Sequence, residues 1–141
     1  MRYILAALLA LCTPALAQSP YPTGAQPATA STTGTTAAIT ATLPGRAGMT
    51  AYLCGFAVRS TATAAVTGNV QVTGTIVGTM NFTHWTGPVA TAIGITEQNF
   101  DPCIPASAIA TNIVIITPAP GNAGVISATV WGYRLPGVFP F

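Results

Sequence analysis

The sequence contains few side chains that can move protons. His84 is its single histidine, and Glu97 and Asp101 are its two carboxylates. A Ser–His–Asp triad requires the fold to bring a serine, a histidine and an acid together, and several serines could join His84 and Asp101. The sequence has no strand–turn–helix nucleophile motif and no glycine-rich phosphate loop before a helix. We therefore expect a protein that is not an enzyme, with no catalytic residues.

The same three residues have the donor types of a metal site. Glu97 and Asp101, however, are four positions apart in a segment that we expect to be a loop. Such a segment does not fix the carboxylate separation that glycoside hydrolysis requires. A single histidine beside an aromatic residue, as in His84-Trp85, is more often a surface or packing residue than a metal ligand. The sequence therefore predicts no metal site and no cofactor.

Aromatic side chains point to a different chemistry, because a tryptophan or tyrosine ring has an apolar face and a polar edge and can stack on a ligand. Trp85 is expected at the end of a strand, and Trp131 and Tyr133 lie on the last predicted strand beside small residues. These three are the candidate ligand-stacking residues of a carbohydrate-binding or adhesin domain, with a glycan as partner. Since alternate residues of a strand face the core, each of Trp85, Trp131 and Tyr133 also has an interpretation as a core residue.

The amino terminus predicts export. Residues 1–17 combine Arg2, an apolar run at 3–11 and the small-residue motif at 15–17, which is the pattern of a cleavable signal peptide. The run is shorter than the ~20 residues of a membrane-spanning helix, so we expect no membrane span after cleavage. One alternative is a buried amino-terminal helix. Another is a lipoprotein signal with Cys12 lipidated, although the leucine before it fits that signal poorly. We expect a secreted, periplasmic or cell-surface protein.

Two cysteines remain after such a leader, Cys54 and Cys103. An even pair in an exported chain predicts a disulfide. The wide spacing lacks the clustering of a zinc site and is not a C-x-x-C redox motif. Closing a loop of this length stabilises a fold by about 4 kcal/mol in the chain-entropy model.

Charged residues are rare beyond the leader. The positive residues are Arg46, Arg59 and Arg134, and the negative residues are Glu97 and Asp101. The formal charge without the leader is therefore +1. Charged residues make up 4% of the sequence, whereas soluble domains average about a quarter. This composition excludes the basic surface of a nucleic-acid-binding protein. Weak charge repulsion instead favours self-association, or a protein partner in a surface assembly.

Alternating apolar and polar residues predict the elements that must hold these side chains. Strands are expected at residues 35–43, 49–59, 69–80, 112–117 and 124–134, and no stretch of ten residues has helical periodicity. Short strands separated by glycine and proline turns are typical of a two-sheet antiparallel β-sandwich, here jelly-roll-like with one disulfide.

Three segments follow the leader in this interpretation. Residues 18–33 are rich in Pro, Thr, Ala and Gly and predict a flexible amino-terminal arm, residues 34–135 form the β-sandwich domain, and residues 136–141 form a Pro/Phe tail. Residues 97–107 contain too many prolines for a central strand, so we expect a loop there, held to the sheet by the disulfide.

Alternation also assigns faces to the strands. Cys54 is expected to point towards the core. The expected groups are Tyr52, Cys54, Phe56 and Val58 on one face; Val70, Val72, Ile76 and Met80 facing inward; and Val125, Trp131 and Tyr133 on the face opposite Ile126, Ala128 and Val130.

Several strand patterns resemble a known group of proteins. Residues 36–43 and 50–56, Pro105-Ala106-Ser107 and the closing residues 131–135 are similar to small uncharacterised Thr/Ala-rich β-sandwich proteins of proteobacteria and their phages. Some of these are suspected virion-surface or decoration components. The resemblance covers most of residues 34–135 and implies a β-sandwich without assigning any functional residue. The export leader departs from it, because virion proteins normally assemble in the cytoplasm.

The hypothesis from the sequence is a non-enzymatic, exported structural or interaction module within a surface or extracellular assembly. A carbohydrate-binding or adhesin domain that uses exposed aromatic residues is one alternative. A virion decoration-like protein is the other.

Overall fold

The computed structural model describes residues 21–88 and 92–137. The predicted signal peptide, Cys12 and the last four residues of the predicted tail lie outside these ranges. The described residues form eight strands: β1 (Gln26–Thr35), β2 (Thr40–Leu43), β3 (Met49–Ala62), β4 (Val66–Thr75), β5 (Gly78–Pro88), β6 (Gly94–Pro105), β7 (Ile113–Ile116) and β8 (Val125–Pro136). The all-β prediction is confirmed. No helix suited to crossing a bilayer occurs within the described ranges.

All eight strands belong to one hydrogen-bonded sheet. Strands β1, β8, β3 and β6 are neighbours in that order and antiparallel; we call them the β3 set. Strands β5, β4, β7 and β2 form a second antiparallel series, the β4 set. The sets are joined where β3 and β5 pair in parallel, with Thr61 opposite Gly87 and Ala62 opposite Pro88.

The sheet is barrel-like and nearly closed. Its strand path begins with β1 and ends with β2, and the hydroxyl of Thr32 on β1 donates to the carbonyl of Thr40 on β2 at 3.1 Å. The predicted separation into two sheets therefore differs from the structure, in which one mixed sheet surrounds the core. Residue alternation reports which side chains face inward, but both arrangements produce the same alternation.

The core is formed by inward-facing aliphatic residues from both sets, together with Phe56. Each fully buried side chain of this size contributes about 1.5–3 kcal/mol through the hydrophobic effect. The fully buried members larger than alanine are Leu43, Leu53, Phe56, Val58, Val70, Val72, Ile113, Ile115, Ile126 and Val130. The predicted inward face of β4 is confirmed for Val70 and Val72, whereas Ile76 is 49% exposed beside the β4–β5 turn. On β8 the structure shows that the face of Ile126, Ala128 and Val130 is the inward one.

A β-bulge in β3 changes the predicted faces of this strand. The pairing with β8 skips Cys54 between Leu53 and Gly55, so Cys54 is an extra residue against β8, whereas against β6 the unpaired residues are 100–103 of β6 itself. Leu53 and Phe56 consequently both face the core, and Tyr52 lies on the opposite side from Phe56. The prediction that Tyr52 shares a face with Phe56 is wrong because a single inserted residue inverts the alternation. Cys54 itself is only half-buried.

The predicted disulfide between Cys54 and Cys103 is confirmed. It joins β3 directly to β6, with Cα atoms 4.3 Å apart, next to the pair Leu53–Ile104. Most of residues 97–107 therefore form a strand and not the predicted loop. β6 pairs only with β3 among the described strands, and prolines are tolerated on such an edge because one side of the strand has no pairing partner.

Part of the segment that was predicted to be a flexible arm forms strand β1. Residues Gln26–Thr35 pair with β8 over their whole length, although the prediction made residues 18–33 flexible. The segment has little apolar alternation, since Ala28 is its one buried hydrophobic residue. Its order comes from hydrogen bonds to β8, which composition does not reveal.

Candidate functional site

A groove of about 390 Å³ lies on the outer face of the β3 set. It follows the central strand β3 and is bounded by β8 and β6. Its lining consists of Ala57, Arg59, Glu97, Ser127, Thr129 and Trp131. Alternation places these residues on the outer face, because the residues between them on β3 and β8 are buried. The small Ala57 forms a low floor, and the longer side chains of the neighbouring strands form the walls.

Trp131 lies against the backbone of β3 at Gly55. A β-carbon at residue 55 would be 2.6 Å from the Cζ2 atom of Trp131 and 2.6 Å from the carbonyl oxygen of Gln98. Only glycine leaves room for the indole ring at this position. Trp131 is therefore half-buried on the outer face, and its interpretation as a core residue is wrong.

Arg59 and Glu97 bring opposite charges into the middle of the groove. Glu97 is paired in register with Ala57 and Arg59 with Ile95, so the two charged residues are diagonal neighbours on β3 and β6. Such neighbours are roughly 7–8 Å apart at their Cα atoms, within reach of one ligand. Both side chains are exposed. The hydroxyls of Ser127 and Thr129 line the same groove, and that of Ser127 is 3.5 Å from the Arg59 carbonyl oxygen.

A smaller cavity of about 160 Å³ extends the groove towards the end of β3. It shares Arg59 and Ser127 with the main groove, and Ile93 and Val125 also line it. These two side chains are 58% and 46% exposed, and the neighbouring Ile95 is 59% exposed. We call Ile93, Ile95 and Val125 the apolar end. The groove thus runs from a tryptophan, past two opposite charges, to aliphatic side chains.

A buried polar cluster lies where the two strand sets meet. His84 on β5 is fully buried. Its Nε2 atom is 2.6 Å from the Ser60 hydroxyl on β3, and its Nδ1 atom is 2.8 Å from the Thr96 hydroxyl on β6. Ser60 in turn donates to the Thr86 hydroxyl at 2.9 Å. With Ser60 donating to Thr86, and with Thr96 donating to Nδ1 in preference to the Thr83 carbonyl at 3.4 Å, the neutral imidazole with its proton on Nε2 satisfies both of its ring nitrogens.

The environment of His84 favours the neutral ring. Burial lowers the pKa of His84 from its ordinary value of 6.5, because the charged imidazolium loses hydration. Both ring nitrogens contact hydroxyls, so the triad considered from the sequence, His84 with Asp101, is not assembled. Asp101 and Glu97 are exposed on β6. The alternative metal site of His84, Glu97 and Asp101 is not formed either, since no three potential ligands come together within the described residues.

The other two candidate stacking residues lie outside the groove. Trp85 is 43% exposed on β5 and packs beside Gly87, where a β-carbon would be 3.0 Å from its Cζ3 atom. Tyr133 is buried, stacked on Tyr52 with ring centroids 4.9 Å apart and contacted by Tyr21 at 5.4 Å. Burial, followed by interaction with Tyr52, raises the pKa of Tyr133. Its ring is therefore not open to a ligand.

Most of the groove residues were not predicted from the sequence. Arg59, Ser127 and Thr129 were not candidates, and Glu97 was considered only for catalysis and metal binding. One signal was available: Arg59, Ser127 and Thr129 alternate with buried residues on their strands, so their outward direction follows from the sequence. The strand order, in which β3 lies between β8 and β6, does not follow from the sequence. Comparison of the chain with protein-family models, curated proteins and solved structures found no match to any of them.

Proposed function

We propose that this chain is an exported, non-enzymatic interaction module that binds its ligand in the groove along β3. One observation carries the proposal: a tryptophan ring, two opposite charges and two hydroxyl side chains line a single groove of about 390 Å³. This volume is within the ~300–1,000 Å³ range of ligand sites. Such sites are usually lined mainly by apolar side chains with a few polar groups; this groove is more polar, since only Ala57 and Trp131 of its lining are apolar.

The disulfide supports the exported location. A Cys54–Cys103 bridge forms and persists in oxidising compartments such as the periplasm or the cell exterior. The predicted leader at residues 1–17 leads to the same compartment. The proposed location is therefore periplasmic, cell-surface or secreted.

The arrangement around His84 supports a non-enzymatic role. Ser60 and His84 are as close as a nucleophile and its base, but Ser60 is 2% exposed and His84 is fully buried. A substrate has no access to the pair in this arrangement. The cluster is instead suited to fastening β3, β5 and β6 together.

Filling the groove tests the proposal. In Ala57→Arg a long side chain rises from the floor, and we expect binding of the purified protein to envelope fragments of its producing cell to fall at least tenfold. Ala119→Arg is the matched control, since it adds the same charge at an exposed loop residue. Cosedimentation measures the binding, and thermal unfolding of both variants verifies the fold. Equal binding by the two variants would contradict the proposal.

A second candidate function is self-association within a surface assembly, and the apolar end favours it. Ile93, Ile95 and Val125 are exposed beside one another, and a surface with so few charges offers little repulsion between copies. Sedimentation velocity should show association that increases with concentration. A monomer at all concentrations would remove this candidate. A decoration-like role, as the resemblance to Thr/Ala-rich phage proteins implies, would be one form of such assembly.

We also propose the finer fold description, in which the β3 set and the β4 set act as the two layers of a jelly-roll-like sandwich. Contact between their inner faces supports it. The ring of Phe56 on β3 meets that of Phe82 on β5, with centroids 5.2 Å apart, and Phe100 on β6 joins them at 6.3 and 6.4 Å.

A further inference from the structure

We infer that the ligand of the groove is a neutral glycan chain, with one sugar ring stacked on Trp131 and the hydroxyls of the chain bound between Arg59 and Glu97. The inference rests on the proposed function and specifies the chemistry of its ligand. Three features of the groove support it: the position of the tryptophan, the pairing of charges and the pairing of the strands beneath them.

Trp131 provides a surface for stacking. Contact with Gly55 fixes the indole against the sheet, so little side-chain freedom remains to be lost when a ligand binds. The ring lines the groove beside the hydroxyl of Thr129. The C–H face of a sugar ring suits such a place, because it is apolar while its edge carries hydroxyls.

The two charges favour a ligand that is neutral but rich in hydroxyls. A hydroxyl can donate to the carboxylate of Glu97, and an adjacent hydroxyl can accept from the guanidinium of Arg59. Hydrogen bonds to charged groups are the stronger kind, at about 1.5–3 kcal/mol each. An anionic ligand would meet the carboxylate and a cationic ligand the guanidinium. The neighbouring opposite charges of Arg59 and Glu97 therefore disfavour both anionic and cationic ligands.

The strand pairing disfavours an extended peptide. Peptides commonly bind sheets by adding a strand to an open edge, where the main chain forms hydrogen bonds. Here the groove runs over β3, whose two edges are already paired with β8 and β6. Its surface offers side chains only, which suits a ligand that binds through hydroxyls. The extension at Arg59 and Ser127 leaves room for the chain to continue past the charges.

Fluorescence titration tests this ligand class. Trp85→Phe removes the tryptophan outside the groove, so the remaining emission reports Trp131. Neutral tetrasaccharides of glucose, galactose and mannose are the probes, with an acidic uronate oligomer and a cationic glucosamine oligomer for comparison. We expect saturable changes in emission with at least one neutral tetrasaccharide and at least tenfold weaker binding of both charged oligomers.

Substitution of the carboxylate provides the matched comparison. In the Trp85→Phe background, Glu97→Gln should weaken binding of that tetrasaccharide about tenfold or more, since it replaces a charged acceptor with a neutral amide. Asp101→Asn removes the other exposed carboxylate of β6 and should leave binding unchanged.

Absence of saccharide binding, or equal effects of Glu97→Gln and Asp101→Asn, would overturn the inference. The cosedimentation experiment separates this failure from failure of the proposed function. If Ala57→Arg abolishes envelope binding while none of the saccharides binds or competes, the groove is the binding site and only the ligand class is wrong.

Discussion

Gly55 determines the shape of the groove at the level of a single residue. It follows the bulge at Cys54, and both the Trp131 ring and the Gln98 carbonyl occupy the space where a side chain would begin. Glycine in a strand commonly marks such close approaches. The sequence identified Trp131 as a candidate for stacking, but the glycine that makes room for it is on another strand. Their contact depends on strand order.

Substitution of this glycine should move the tryptophan. Gly55→Ala places a methyl group within 2.6 Å of both the indole and a backbone oxygen. Because the backbone cannot yield easily, we expect the free energy of unfolding to fall by about 1–3 kcal/mol. Urea denaturation measures the loss, and a shift in Trp131 emission, recorded in the Trp85→Phe background, measures the displacement. Unchanged stability and emission would show that the ring is not held against residue 55.

At the level of the strands, β6 is the element that the sequence describes least well. Proline content suggested a loop, but prolines are also tolerated in an edge strand. The cysteine pair was predicted correctly because pairing depends on number and compartment and not on strand order. β3 was predicted as a strand, but its faces were inverted before the bulge, since one inserted residue leaves no mark in the apolar pattern.

The disulfide should secure the β6 wall of the groove. It encloses a loop with a sequence separation of 49 residues, for which the chain-entropy model gives about 4 kcal/mol. We expect the double substitution Cys54→Ala and Cys103→Ala to lower the free energy of unfolding by about 2–5 kcal/mol. Denaturation with and without a reductant measures it. The wild type should lose comparable stability on reduction, while the double variant should not respond, and a response by the variant would contradict this account.

At the level of the whole molecule, the cluster around His84 joins the two strand sets. Ser60 and Thr96 belong to the β3 set, and His84 and Thr86 belong to the β4 set. The parallel pairing of β3 with β5 is limited to two residue pairs at the same junction. The sequence could not indicate this role, because the four residues come from three strands, and nothing in their spacing requires β5 to meet β3.

Protonation of His84 should weaken this junction. Since burial lowers its pKa below the ordinary 6.5, the unfolded chain takes up a proton at a higher pH than the folded protein does. The histidine contribution to stability is therefore fully present above pH 6.5 and is lost as the pH falls from there towards the folded-state pKa. Among the described residues no carboxylate is bonded to the ring, since Glu97 and Asp101 are exposed on β6. Arg59 faces the outer groove, and β4 carries no titratable residue.

Chemical denaturation at a series of pH values measures this dependence. The free energy of unfolding of the wild type should fall by up to about 1.4 kcal/mol per pH unit below pH 6.5. His84→Gln keeps hydrogen-bonding groups without a titrating proton, so its stability, although lower, should lack this component of the slope. Equal slopes in the two proteins would assign the pH dependence to other groups.

The pairing of β1 with β8 also determines the orientation that the molecule would have if it were attached to a surface. Gln26 is opposite Arg134, so both ends of the described chain lie side by side, at the end of the sheet where the three tyrosines meet. Val125 is nine residues back along β8, which is about 30 Å in an extended strand. If the protein is attached to a surface through either chain terminus, the apolar end therefore points away from that surface. The groove then runs from the attached side of the molecule to the opposite side.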